Sequence, residues 1–189
     1  MQEPIITLLT DFGEKDPYVG EMKGVILSIC PNAKIIDLSH DIEKHNIYEG
    51  SFFLYSTAKY YPKHTIHLVV IDPGVGSERK SLVIQSKNYY FVGPDNGVLS
   101  LAALDNKIQK VIEINNPSYF LKPVSDTFHG RDIFAPIAAH LANNTTPEKF
   151  GSLTQTWIQI KIPEVLIKKN EIIGEIIHID RFGNLVTNI

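Results

Sequence analysis

Ile66-His67-Leu68-Val69-Val70-Ile71-Asp72-Pro73-Gly74-Val75-Gly76-Ser77-Glu78-Arg79-Lys80 decides how this chain is read. A near-continuous apolar run stops at a carboxylate, a proline and two glycines. An apolar run this short reads as a strand buried on both faces. Ligands of open α/β sheets bind outside the carboxyl ends of such strands, so Asp72 and the loop after it form the centre of a candidate site. The glycines let backbone approach a bulky ligand.

Upstream, Ile5–Thr10 reads as a strand that also ends at an acid, in Asp11-Phe12-Gly13. Val19, Met22, Ile26 and Ile29 recur at helical spacing, Pro31-Asn32 closes that helix, and residues 34–38 give a second strand. Residues 39–45 are polar and loop-like. Tyr48, Phe52 and Tyr55 mark a second helix that ends before Pro62. Downstream, residues 81–86 and 89–93 read as a hairpin across Lys87-Asn88. A turn at Pro94-Asp95-Asn96-Gly97, a short helix over 98–104 and a strand over 108–114 follow. Residues 115–125 are irregular, and 133–141 form an apolar helix with Pro136 in its first turn. Strands alternating with helices predict an α/β domain over residues 1–162, a mostly parallel central sheet flanked by helices in a Rossmann-like arrangement. After Trp157 the texture changes. Residues 158–162 and 171–179 read as strands with no helix between them, so a second, β-rich domain is expected to begin at 163 and run to 189.

The 189 residues are 43% apolar and 21% charged, the profile of an ordinary globular chain. A formal charge of −3 argues against binding nucleic acid or anionic membrane by bulk electrostatics. Cys30, the one cysteine, cannot form an internal disulfide and falls where a helix would bury it, which favours a reducing cytoplasm and an inert thiol. Met1-Gln2-Glu3-Pro4 lacks a basic n-region, and no apolar run approaches the roughly 18 residues of a membrane span. The expectation is a cytoplasmic protein, neither exported nor anchored.

Asp11, Asp72 and His129 stand at strand ends or on loops, with Arg79 seven residues past Asp72. Each has a plain alternative: an Asp before Gly or Pro forms turns and caps, Arg79 between Glu78 and Lys80 suits a solvated surface, and His129 could be an ordinary loop residue. A phosphate loop would need Gly directly before Lys-Ser, and Arg79 occupies that place. His45, His129, Asp11 and Asp72 show no ligand-pair spacing, so no metal site is expected.

Taken in one order, Thr10-Asp11-Phe12-Gly13 with Asp16, Asp72-Pro73-Gly74-Val75-Gly76 with Arg79, Pro94-Asp95-Asn96-Gly97, Phe128-His129-Gly130-Arg131-Asp132 and Asp180-Arg181-Phe182-Gly183-Asn184 are more specific. Together they resemble the S-adenosyl-L-methionine hydroxide adenosyltransferase family, relatives of the fluorinating and chlorinating enzymes. The resemblance runs from about residue 5 to the last residue. It implies hydrolysis of S-adenosyl-L-methionine to adenosine and L-methionine by hydroxide attack at ribose C5′, with no cofactor. It implies a water-activating triad at the matching positions Asp72, Arg79 and His129. Asp11 would hold the ribose hydroxyls, Asp16 and Asp180 the methionine ammonium, and Phe182 and Asn184 the adenine. His45 would line the pocket where the halogenating relatives have an aromatic wall.

The resemblance also implies a homotrimer with sites between subunits, and a C-terminal β-barrel-like domain of which residues 163–189 would be the beginning, an incomplete one. Two features favour the hydrolase over the halogenase. Residues 77–86 run directly into the hairpin without the inserted loop of the fluorinating relatives, and His129-Gly130 replaces their Tyr-Ser. The alternatives are a non-catalytic adenosine- or S-adenosylmethionine-binding protein and, from another class, a metal-dependent hydrolase.

Overall fold

In the computed structural model, which describes residues 3–189, β1 (Ile5–Thr10), α1 (Tyr18–Ile29), β2 (Lys34–Ser39), α2 (Ile47–Ala58) and β3 (Ile66–Val70) form two successive β-α-β units. β4 (Ser81–Ser86) and β5 (Tyr90–Pro94) make the expected antiparallel hairpin. α3 (Ser100–Asp105), β6 (Ile108–Ile114), α4 (Ala135–Ala142) and β7 (Gly151–Leu153) follow. The sheet order is β2-β1-β3-β5-β4-β6-β7. β2, β1, β3 and β5 pair in parallel, and β4, β6 and β7 join antiparallel. Because β6 reverses β4, which reverses β5, five of the seven strands point one way.

Every residue of β3 is buried, His67 included, as a near-continuous apolar run leads one to expect. Its side chains alternate between two cores. Ile66, Leu68 and Val70 join Met22 and Ile26 of α1 and Ile137 and Leu141 of α4, whereas Val69 and Ile71 join Leu54 of α2 and Ala102 of α3. α1 leads from β1 to one neighbour, and α2 crosses the opposite face to deliver β3 on the other side of β1. The chain therefore reverses its winding at β1, and the loops after β1 and β3 flank the crevice where such sheets place ligands. Thr10 pairs with Val70, so Asp11 and Asp72 leave the same sheet edge.

Several expectations are corrected. α2 buries Gly50, Ser51, Leu54 and Ala58 rather than the Tyr48, Phe52 and Tyr55 stripe. Small residues let this helix lie close to the sheet, and the aromatic rings flank it, half-buried. Residues 133–141 are not one plain helix: Gly130–Phe134 is a π-helical turn that runs into α4. β7, three residues long, carries no period by which sequence could reveal it. Residues 158–162 form no strand; the Ile158 N–H, which a strand would spend on a neighbour, donates instead to the buried Asp95 carboxylate at 2.7 Å.

The chain divides into a compact unit ending at Gln159 and a second of Ile160–Ile189. The second contains two antiparallel hairpins, β8 (Leu166–Lys168) with β9 (Glu171–Ile173), and β10 (Ile176–Ile179) with β11 (Leu185–Thr187). The single strand expected over 171–179 is thus two. It breaks at Gly174, where a Cβ would lie 2.4 Å from Ile189, and at Glu175, whose N–H turns to the Asn188 side chain at 2.7 Å. No described helix is long and apolar enough to cross a membrane.

Candidate active site

Beyond β3 the backbone folds into two tight turns, Val75 N–H to Asp72 C=O at 3.3 Å and Ser77 N–H to Gly74 C=O at 3.1 Å. Asn96 donates to the Ile71 carbonyl at 2.8 Å and braces the start of this loop. Gly76 has φ of +76°, and a Cβ there would sit 2.4 Å from the Asp126 carbonyl oxygen. Both facts demand glycine. The loop consequently packs against residues 125–127, and Gly76→Ala should cost about 1–3 kcal/mol of stability. Urea titration would measure this; a variant as stable as wild type would mean that the two loops are not in contact.

The turns bring Arg79 back over Asp72. Its Nε donates to Asp72 Oδ1 at 2.9 Å and Oδ2 at 3.1 Å, and Nη2 donates to Oδ2 at 2.5 Å. Nη1 donates to the Ser81 hydroxyl at 2.8 Å, and the guanidinium lies 5.2 Å from the Phe134 ring centre. Only 10% of the Arg79 side chain and 4% of the Asp72 side chain remain exposed, so the pair is a buried one. Arg79 Nη2 also reaches His129 Nδ1 at 2.9 Å. A guanidinium can only donate, so Nδ1 accepts, and the neutral ring carries its proton on Nε2.

Burial, and next the Arg79 charge, push the His129 pKa below its ordinary value, against the opposing pull of Asp72, Asp132 and Asp126. The ring is therefore held neutral near pH 7, as the Arg79 contact requires. A hollow of about 40 Å³ adjoins the triad, lined by Phe12, Val70, Asp72, Val75, Thr127, Phe128, His129 and Gly130. It sets the polar groups of Asp72, Thr127 and His129 among apolar walls, with room for water.

Asp11, at the end of β1, accepts the His45 backbone N–H at 2.9 Å. His45 is exposed, with φ of +66°, and precedes Asn46, whose side chain caps α2 by accepting from Glu49 N–H. The two are thus brought together, on the same sheet edge as Asp72. Asp16 is exposed just before α1. In the second unit, Asp180 accepts from the backbone N–H groups of Phe182 (2.9 Å) and Asn184 (2.8 Å) and from the Asn184 amide (2.7 Å). These contacts, with Gly183 at φ of +87°, tie the β10–β11 turn around the Asp180 carboxylate. Hydrogen bonding, from the Asn184 side chain first, lowers the Asp180 pKa. Phe182 projects outward, 84% exposed.

Sequence reading did not single out Ser81, Phe134 or Thr127 as parts of this site. Ser81 has a signal, since it lies two residues beyond Arg79, where strand alternation returns to the same face. Phe134 and Thr127 have none without the fold. Among the described residues no group of three or more His, Cys, Asp or Glu side chains is gathered as a metal would need.

An α/β protein with paired acids at a topological switch point, one of them in a buried Asp-Arg-His chain, belongs to the class that binds small ligands at a sheet edge. The chain belongs to the SAM hydroxide adenosyltransferase family, whose N-terminal domain matches residues 6–151. A protein named (R)-S-adenosyl-L-methionine hydrolase from Methanocaldococcus jannaschii is 45% identical, the alignment covering 98% of this chain and 66% of that protein. A protein named fluorinase from Nocardia brasiliensis is 27% identical over 100% of this chain and 72% of its own length. The crystal structure of an uncharacterized conserved protein from Thermotoga maritima superposes with a TM-score of 0.92 at 44% identity, covering 97% of this chain and 71% of that one. The chain spans about two thirds of the length of the curated relatives it matches.

Proposed function

We propose that this protein hydrolyses S-adenosyl-L-methionine, hydroxide attacking ribose C5′ to release adenosine and L-methionine. The observation that carries the reading is the hydrogen-bonded Asp72–Arg79–His129 chain beside a small hollow that Asp72 and His129 line. The shared family and the hydrolase relatives at 34–45% identity support it. Displacement at a saturated carbon needs nucleophile, carbon and sulfur in line, so a fixed water site is worth more than a covalent nucleophile. Methionine leaves as a neutral thioether and needs no acid.

Arg79 supplies positive charge that favours the hydroxide form. His129, with Nδ1 spent on Arg79, offers the water a donating Nε2–H rather than a basic nitrogen. The proton therefore goes to Asp72, whose carboxylate oxygens retain lone pairs beside the Arg79 contacts. The apolar walls of Phe12, Val70, Val75 and Phe128 keep hydration from the opposite charges of hydroxide and sulfonium as they combine. Asp11 holds the ribose hydroxyls; Asp16 and Asp180 bind the methionine ammonium, Phe182 and Asn184 the adenine, and His45 lines the pocket. The working assembly is a homotrimer in the cytoplasm, and no cofactor takes part.

Two features support hydrolysis over halogenation. Gly130 offers no hydroxyl to a halide, and a Cβ there would lie 3.3–3.4 Å from Met22, Phe128 and Val70, leaving a serine little room. The fluorinases are also the more distant relatives. Reaction in H₂¹⁸O should yield methionine and adenosine labelled at the 5′-hydroxyl, read by mass spectrometry; binding without adenosine would favour a binding protein instead. Protonating His129 would set an N–H against Arg79, so kcat/KM should fall on acidification, with its acid limb below pH 6.5 because the ring's pKa is lowered. A pH profile whose limb lies above that value would remove His129 from this role.

A further inference from the structure

Asp132 lies outside the water-activating triad, yet it is fully buried and ionically paired. Its Oδ1 accepts from Arg131 Nε at 2.7 Å, and its Oδ2 accepts from Arg131 Nη2 at 3.2 Å and from the Ser125 backbone N–H at 2.8 Å. Its own carbonyl accepts from Leu121 N–H at 2.9 Å. One residue therefore ties down a loop that would otherwise be irregular from 121 to 127.

That loop bears on the site from two sides. Thr127 lines the hollow beside Asp72 and His129, and the Asp126 carbonyl fills the space that Gly76 leaves open in the Arg79 loop. The backbone N–H groups of Arg131 and Asp132 both turn to the Phe128 carbonyl, at 3.2 and 3.1 Å, and form the turn that carries His129 into the π-helical segment. Arg131 continues the chain of contacts. Its Nη1 donates to Glu21 of α1 at 2.8 Å, and its guanidinium covers the Phe128 ring at 4.9 Å, on which Phe12 and Tyr18 also pack edge-on.

We infer that Asp132 is a positioning residue, clamped by Arg131, that sets the His129 turn and the 125–127 loop so that His129 Nδ1 meets Arg79. The inference rests on the hydrolase reading for its kinetic consequence, but the geometry it describes does not depend on turnover. Asp132→Asn keeps the shape and replaces one accepting oxygen with an N–H₂, which must face either Arg131 or Ser125 N–H, donor against donor. Reacting groups displaced by about 1 Å cost on the order of 10²-fold in rate. Asp132→Asn should therefore lose about 10- to 100-fold in kcat with KM changed less than about threefold.

The independent readout is ¹⁵N NMR of the His129 ring, assigned by the disappearance of its signals in His129→Gln. Wild type should show an unprotonated, hydrogen-bonded Nδ1 and a protonated Nε2; Asp132→Asn should shift both signals. If Asp132→Asn does not fold, Arg131→Leu, altering a side chain that is 30% exposed, should move the same ring signals in the same direction. Unchanged ring signals in a folded variant would overturn the inference, as would a loss of activity matched by the loss of folded protein. A wild-type protein that makes no adenosine would refute the proposed reaction and leave the ring signals to decide the positioning role.

Discussion

Arg79→Ala should bind S-adenosyl-L-methionine within a few-fold of wild type and turn it over about 10²–10³-fold more slowly, the scale set by removing one preorganised charge or donor from an active site. Arg79 bonds both Asp72 and His129. Removing it deprives the water of its nearby positive charge and frees the His129 ring to change tautomer. Arg79→Lys should recover little. A point-like ammonium cannot bond both Asp72 oxygens, Ser81 and His129 at once, whereas the planar guanidinium does.

The variant should also be less stable, because the Asp72 carboxylate, 4% exposed, would be left buried without its partner, at a cost of about 3 kcal/mol or more. Adding Asp72→Asn to Arg79→Ala should restore much of that stability and none of the turnover. Calorimetric binding, single-turnover kinetics and urea titration separate the three quantities. Equal turnover in Arg79→Ala and wild type would end the triad account.

The second large effect is acid destabilisation through His67, in the middle of β3. The ring is fully buried, stacked on Phe91 with centroids 5.3 Å apart, and edged by Tyr61 and Tyr89. Its Nδ1 meets the Thr7 hydroxyl at 2.8 Å, while Nε2 has no hydrogen-bond partner among the described residues. An unpaired lone pair costs less than an unpaired N–H, so the proton belongs on Nδ1, donated to Thr7. Burial lowers the His67 pKa to about 3.

Between that value and the ordinary 6.5 the unfolded chain binds a proton at His67 and the native protein does not. Stability from this residue is therefore complete above pH 6.5 and falls as pH drops toward 3. At about 1.4 kcal/mol per pH unit, the loss reaches on the order of 5 kcal/mol, a large part of a typical domain's stability. His67→Phe combined with Thr7→Val removes the titrating ring and the hydroxyl it engages. Urea titrations from pH 7.5 to 4.5 should show the wild type losing about 2–3 kcal/mol more than this double variant. Equal pH slopes would mean that His67 is protonated in the native state.

His67 also marks where sequence reading reached its limit. Within an apolar run it was simply part of a buried strand, which is correct, yet its aromatic enclosure arises from β5 and the α2–β3 connection. The same division runs through the site. Apolar period placed Asp11 and Asp72 each at the carboxyl end of a strand, because a strand's direction and alternation are local properties of the chain, and the pairing of Thr10 with Val70 put both at one sheet edge. The family resemblance named His129, although nothing local in Phe128-His129-Gly130 tells a catalytic histidine from a loop residue. The helical stripe on α2 was misjudged because Gly50, Ser51 and Ala58 carry little hydrophobic signal but permit close approach to the sheet.

By itself, then, the amino-acid sequence determined the β-α-β order, the strand ends that carry acids, and the motifs in register. Only the tertiary structure decided that Arg79 folds back over Asp72, that His129 Nδ1 receives its contact, and that Asp132 anchors the loop under Gly76. These are contacts across 7, 50 and again 7 residues of chain. Their geometry depends on positive-φ turns, a π-helical turn and buried ion pairs, whose energies are set by the neighbours that folding supplies rather than by local propensity.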